Sequence, residues 1–398
     1  MRLPALFTVP GDALAGAAAV SARPTSRTLL AIASSLCLYE AGMALNDWAD
    51  RDVDAVERPH RPLPSGRIRP AAALGAACAL TGAGLSLAAC AGRPALTVAV
   101  PLAATVWAYD LALKNTPAGP FAMATARGLD LLLGAAATAG AGVVGGMDSL
   151  GRKVGASRAW VTTVADEPRP ALRAAAVPGA VGGTHRALPT PSLLGDRQAF
   201  PSAAMLSIRQ ALPSAALLGA HTLAVTTVSR REAQGGSPLV PFAALAVTAA
   251  LTRTVTRRRS LPTDRIAGSR RGTGSRRPAD VADLAAAAMS RLSRHTRQTG
   301  AHMPPPGPSP DSLDTNAALR LALAAAYAAT TARPYLHATL NPSPPLTQRA
   351  VTAGIRATIP LQAALTARSG AKGATVTALL TTALAPLAGR FARKVSVT

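Results

Sequence analysis

Four polar side chains, Asn46, Asp47, Asp50 and Asp54, stand at the end of an apolar stretch with a spacing that can do chemistry. Asn46, Asp50 and Asp54 fall at i, i+4 and i+8; Asp47, Asp50 and Asp54 fall at i, i+3 and i+7. On a helix all four share one face, and Asp52 points away from it. Three carboxylates and an amide on one face repel each other unless a cation sits among them. Oxygen-only ligands suit a hard ion such as Mg²⁺, which commonly joins protein carboxylates to substrate phosphates. A solvated acidic helix end paired with Arg51 and Arg58 would use the same residues. Two features favour chemistry. Asp47, Asp50, Asp52, Asp54 and Glu57 account for five of the chain's 19 acidic residues. They also abut a segment apolar enough for a bilayer, where charge is expensive and usually functional.

Other polar groups join this set. In YDLALKNTPAG (109–119), Tyr109 and Lys114 place a phenol and an ammonium at a helix end, which makes either a phosphate clamp or a pair of interfacial anchors. In RGLDLLLGA (127–135), Arg127 and Asp130 are charged within an apolar helix. At i, i+3 they either neutralise each other or line the site, with Arg127 near phosphate. In HTLAVTTVSRREAQGGSP (221–238), a polar helix end carries Ser229 and Arg230 and a single acid, Glu232.

The elements that must position these groups read as membrane helices. Apolar residues make up 49% of the 398 and charged residues only 15%, against roughly 25% in soluble domains. Aromatics are 3%, so a core must be built from Ala, Leu and Val, and small residues let membrane helices approach closely. Segments of spanning length recur at about 5–22, 27–46, 71–91, 94–113, 119–146, 205–228, 238–256, 349–366 and 371–389. A further Ala-rich segment, 315–333, contains Arg320 and Arg333 and either spans or lies at the interface. The expected architecture is an all-α polytopic bundle of about nine transmembrane helices. Its organisation is N-terminal helices with the acidic motif (1–147), a polar Pro/Gly/Arg-rich insertion (148–204), two helices (205–256), an Arg/Pro-rich loop (257–312) and C-terminal helices (313–398). Residues 280–295 have the pattern of a short amphipathic helix within that loop. The N-terminal stretch reads as a first membrane helix better than as a cleavable signal.

The net charge of +23 comes from Arg far more than Lys, of which there are four. The charges sit between apolar stretches rather than on an amphipathic face with interleaved aromatics, which points to membrane loops and an anionic lipid surface, not to nucleic acid. A cytoplasmic 47–70 loop puts Lys114, Arg230 and Arg231 inside as well, and leaves the Arg-rich 257–312 stretch outside, against the positive-inside trend. Cys37, Cys78 and Cys90 lie in apolar stretches without metal or disulfide spacing.

The stretch LYEAGMALNDWADRDVDAVERPHRPLPSGRI (38–68) resembles the first aspartate-rich motif of the UbiA prenyltransferase superfamily, NDxxDxxxD followed by Arg-Pro-Leu-x-x-Gly, here Arg61, Pro62, Leu63 and Gly66. The resemblance covers most of 1–147, 205–256 and 315–398. It implies that Asn46, Asp47, Asp50 and Asp54 bind Mg²⁺ and through it the diphosphate of an isoprenyl donor, with Asp47, Asp50 and Asp54 as the catalytic acids. Tyr109 and Lys114 match the family's Tyr and Lys near the diphosphate. The family's second acidic motif, of the DxxxD kind, is degenerate here. The version with His221, Thr222, Ser229, Arg230, Glu232, Gly235 and Gly236 looks like the EboC-like branch of bacterial secondary metabolism, as does AVTAGIRATIPLQAAL (350–365).

These readings lead to a Mg²⁺-assisted membrane prenyltransferase in which Arg61, Tyr109, Lys114, Arg127 and Arg230 bind the diphosphate. The expected partners are an isoprenyl diphosphate donor, an acceptor that the helices do not identify, and the bilayer. The expected location is a bacterial cytoplasmic membrane with the site facing the cytoplasm. The loss of the second motif leaves open a non-catalytic isoprenoid binder or transport accessory. A CDP-alcohol phosphotransferase would need an Asp-Gly pair followed by Ala-Arg and two spaced Asp, a pattern the chain lacks.

Overall fold

A computed structural model describes residues 7–139, 196–230, 237–257, 315–370 and 373–395, and all regular secondary structure among them is helical. In chain order the helices are α1 (Val9–Ala19), α2 (Ser26–Ala49), α3 (Arg51–Glu57), α4 (Pro70–Ala91) and α5 (Arg93–Ala108), which continues into a π-helical turn, Tyr109–Leu113. Next come α6 (119–139), α7 (Asp196–Ser229), α8 (Leu239–Thr256), α9 (Thr315–Leu340), α10 (Pro344–Arg368) and α11 (Ala374–Val395). By length and composition α2, α4, α5 with its π turn, the 205–229 part of α7, and α8 are each able to cross a membrane.

Local chemistry sets the boundaries. Thr25 starts α2 with a reciprocal capping box, its backbone N–H donating to Thr28 Oγ1 at 2.9 Å. Pro70 opens α4 where a missing N–H costs nothing, and Gly92, at φ 127°, ends it in a conformation closed to other residues. Ser21, at φ 57°, stops α1, leaving an 11-residue helix inside the expected 5–22 segment. The 315–333 segment extends to Leu340, and the helix expected at 205–228 begins at Asp196, within the stretch read as a polar insertion. The rest of 148–204 and nearly all of 257–312, with its amphipathic pattern at 280–295, lie outside the described residues.

Helix α10 is the hub of the packing, touching α1, α7, α8, α9 and α11. Close approach depends on small residues. Gly16 of α1 and Gly134 of α6 face each other's helices: a Cβ on Gly16 would strike the Leu131 carbonyl, and one on Gly134 the Ala13 backbone. Ser34 donates to the Gly84 carbonyl at 2.7 Å, tying α2 to α4.

Candidate functional site

The acidic residues do not lie on one unbroken helix. α2 ends at Ala49, Asp50 sits at the junction, and α3 starts at Arg51. The i to i−4 bonds nevertheless continue: Asp50 N–H donates to Asn46 O at 2.9 Å, and Asp54 N–H to Asp50 O at 2.8 Å. The expected spacing therefore survives the break, and Asn46, Asp50 and Asp54 stand on successive turns.

Each carboxylate meets a cation. Arg61 Nη1 is 2.5 Å from Asp54 Oδ2 and 3.9 Å from Asp47 Oδ1, and Arg58 is 3.7 Å from Asp54 Oδ1. Arg61 reaches back because the chain turns through 58–66, where Gly66 holds a left-handed φ of 75° and donates to Leu63 O at 3.0 Å. Lys114, just past the π turn, sets its Nζ 2.5 Å from Asp50 Oδ1. Arg230 donates to the carbonyls of Thr116 and, at 3.4 Å, Asn115, so the end of α7 is clamped to the loop that carries Lys114. Glu232, Arg231, Gly235 and Gly236 lie outside the described residues.

Beneath this cluster lies a cavity of about 470 Å³. Along α2 its wall is a helical stripe from Asn46 through Met43, Gly42, Tyr39 and Leu38 to Ser35. That stripe covers about 16 Å at 1.5 Å per residue. Asn46, Tyr109, Asp110, Thr226 and Ser229 line the mouth, and the walls are apolar, with Leu38, Leu102, Val106, Val225, Val351 and Ile355 among them.

The inner end is polar again. Arg127 lines it but does not join the acidic cluster: its Nε lies 3.0 Å from Asp12 Oδ2 on α1, an ion pair that neither alternative read from the sequence included. Asp130 accepts from Ser35 Oγ, and Gln362 Nε2 donates to Asp12 Oδ1 at 2.5 Å and to Thr8 O at 2.7 Å. His221 is held between Tyr327, whose hydroxyl lies 3.1 Å from Nδ1, and the Gly354 carbonyl, 3.0 Å from Nε2. Buried charge is costly in an apolar bundle; Asp12 is ion-paired to Arg127 and hydrogen-bonded by Gln362, and Asp130 is hydrogen-bonded by Ser35.

Sequence reasoning passed over Asp110, Asp12 and Gln362. Asp110 is 4% exposed, lines the mouth and accepts from Asn46 Nδ2 at 3.3 Å. The signal was present in YDLALK, an acid inside an apolar helix four residues before a lysine.

The donor set at the mouth fits a hard divalent ion. Asn46, Asp47 and Asp50 offer only oxygen or amide ligands, and the side chains of Asp47 and Asp50 are 38% and 31% exposed. Among the described residues no three acidic, His or Cys side chains converge as a closed cage. Mg²⁺ rarely takes such cages; it binds through one or two carboxylates with substrate phosphates completing its shell.

Comparison with known proteins places these features in a family. Residues 5–266 match the model of the UbiA prenyltransferase family. The chain is 33% identical over 164 residues to the digeranylgeranylglyceryl phosphate synthase of Methanothrix thermoacetophila, covering 39% of this chain and 61% of that protein. It is 45% identical over 56 residues to the chloroplastic chlorophyll synthase of Oryza sativa subsp. japonica, covering 14% of this chain and 15% of that one. The aligned region thus spans less than two thirds of the length of either relative. Among solved structures, the apo form of a UbiA homolog from Aeropyrum pernix K1 is similar at 15% identity with a TM-score of 0.48, covering 90% of this chain and 96% of that one.

Proposed function

The chain belongs to the UbiA prenyltransferase family, and from that premise we propose that it transfers an isoprenyl group from an allylic diphosphate to a small or lipid-like acceptor. The observation that carries this reading is an apolar cavity bordered by Asn46, Tyr109 and Asp110, with the ion pairs Lys114–Asp50 and Arg61–Asp54 one and two turns beyond Asn46. That juxtaposition matches a molecule with a charged head and a hydrocarbon tail.

In this reading Asn46, Asp47, Asp50 and Asp54 would hold Mg²⁺, which neutralises charge on the leaving diphosphate. Lys114, Arg61 and Arg230 supply fixed positive charge, and the Tyr109 hydroxyl a hydrogen bond, to the same oxygens. Donor binding requires Asp50 and Asp54 to give up part of their present pairing, which frees the two cations for phosphate. Leu38, Val106, Val225 and Ile355 keep water from the allylic carbon, so that the acceptor and not solvent captures it. Arg127, engaged by Asp12, serves the inner wall rather than the head. The degenerate 221–238 segment keeps the EboC-like branch as our reading of the chain's place within the family.

The test uses the full chain in detergent with radiolabelled geranyl, farnesyl and geranylgeranyl diphosphates, a lipid and metabolite extract, and Mg²⁺ or EDTA. Mg²⁺-dependent transfer of label, abolished in a folded Asp50→Ala variant, is expected. Undiminished transfer in that variant would sink the assignment. The 221–238 segment, with Ser229, Arg230 and the single acid Glu232, lacks the paired carboxylates of the family's second motif, and this favours one alternative, an isoprenoid binder. It predicts tight donor binding with no diphosphate release.

A further inference from the structure

We propose that Asp110 is an oxygen ligand of the metal–diphosphate head, replacing from α5 the carboxylate that the 221–238 segment lacks. This rests on the prenyl-donor reading of the mouth. Four observations converge on Asp110. Its side chain is buried in an apolar bundle and yet borders the cavity, a placement too costly to keep without a partner or a task. It accepts from the amide of Asn46, the first residue of the acidic motif, so it is joined to that motif from a helix 64 positions away. The backbone departs from α-helical geometry at this point: the π turn Tyr109–Leu113 widens the helix by one residue, and both Tyr109 and Asp110 border the cavity. Such turns recur at functional sites. Finally, Gly42 leaves the space. A Cβ there would come within 2.8 Å of Val106 Cγ1 and 3.5 Å of Asp110 Oδ2, so α2 lets α5 approach only because residue 42 has no side chain.

Asp110, hydrogen-bonded to Asn46 on α2, borders the same cavity as Thr226 and Ser229 at the end of α7. That end is where the degenerate segment offers hydroxyls in place of carboxylates. A carboxylate from α5 restores anionic charge on that side of the mouth. The same π turn also delivers Lys114 to Asp50, so one irregular segment supplies a carboxylate for the metal and a cation for the phosphate.

The discriminating variants are Asp110→Asn and Asp110→Ser, both made in the full chain so that either one suffices. An asparagine still accepts from Asn46 through its Oδ1, so a purely structural Asp110 tolerates it. A metal ligand does not, because the charge is gone. The measurement is binding of Mn²⁺, as a stand-in for Mg²⁺, in the presence of inorganic diphosphate, read from the free-ion electron paramagnetic resonance signal. Thermal unfolding is recorded in parallel, and Asp50→Asn serves as reference. Mn²⁺ affinity at least about tenfold lower in the Asp110 variants, with an unchanged unfolding midpoint for Asp110→Asn, is expected. Wild-type Mn²⁺ binding in the Asp110 variants alongside its loss in Asp50→Asn overturns the role of Asp110 and leaves the prenyl-donor reading standing. Wild-type binding in all three variants overturns both.

Discussion

At the scale of single residues, the proposed function requires the mouth to exchange partners. Lys114 Nζ and Asp50 Oδ1 are 2.5 Å apart, with side chains 14% and 31% exposed. A pair that shielded is worth more than a surface ion pair. It also means that Lys114 competes with any cation for Asp50. Replacing Lys114 by Met should therefore move two affinities in opposite directions: Mn²⁺ alone should bind more tightly, because Asp50 loses its competitor, while inorganic diphosphate should bind more weakly. Calorimetric titration of each ligand separately checks the signs, and a fall in both would show that Lys114 is needed to hold Asp50 in place. The sequence showed this chemistry where it was local. Asn46, Asp47, Asp50 and Asp54 stand within nine positions, and their period alone announces a shared face. It hid the chemistry that depends on distant helices. Asp12 and Gln362 meet across 350 positions, and Arg127 takes Asp12 rather than its neighbour Asp130 because α1 packs against α6. No spacing rule reports such a contact.

At the scale of elements, the helices were legible from apolar runs and their ends were not. The 349–366 run grows to Pro344–Arg368 because Ser343 and Pro344 can start a helix in a stretch too polar to count as a span. The break at Asp50 and the π turn at Tyr109 have no compositional signal, yet both re-aim site residues. What joins the elements is the absence of side-chain bulk. Gly134→Ala would push a methyl into the Ala13 backbone, an overpacking that costs about 1–3 kcal/mol. Gly75→Ala and Gly82→Ala on α4 meet nothing within 4 Å and should be neutral or stabilise by up to about 1 kcal/mol through helix propensity. Thermal unfolding of the detergent-solubilised protein separates the two classes. Equal midpoints for Gly134→Ala and Gly75→Ala would show that α1 and α6 do not touch as described.

At the scale of the whole molecule, the bundle has two unlike ends, and the site opens at one of them. The mouth end gathers the α2–α3 junction, the 58–69 turn, the Lys114 loop and the end of α7. The opposite end holds Gly92 near Arg27 and Gly373 near Arg23. Both ends carry arginines, so the positive-inside trend does not choose between the two orientations. The substrate does. An allylic diphosphate carries several charges that do not cross a bilayer unaided, and the mouth must face the compartment that makes it. We therefore expect the 58–69 turn on the cytoplasmic side. In a chain with Cys37, Cys78 and Cys90 replaced by Ala, a cysteine at the exposed position Ser65 should resist a membrane-impermeant maleimide added to intact cells and react after lysis. A cysteine at the exposed position Arg93, at the other end of α4, should react from outside. The reverse pattern would turn the mouth away from the donor's compartment, and the prenyl-donor reading would then require a second route for the diphosphate that the bundle does not provide through its apolar walls.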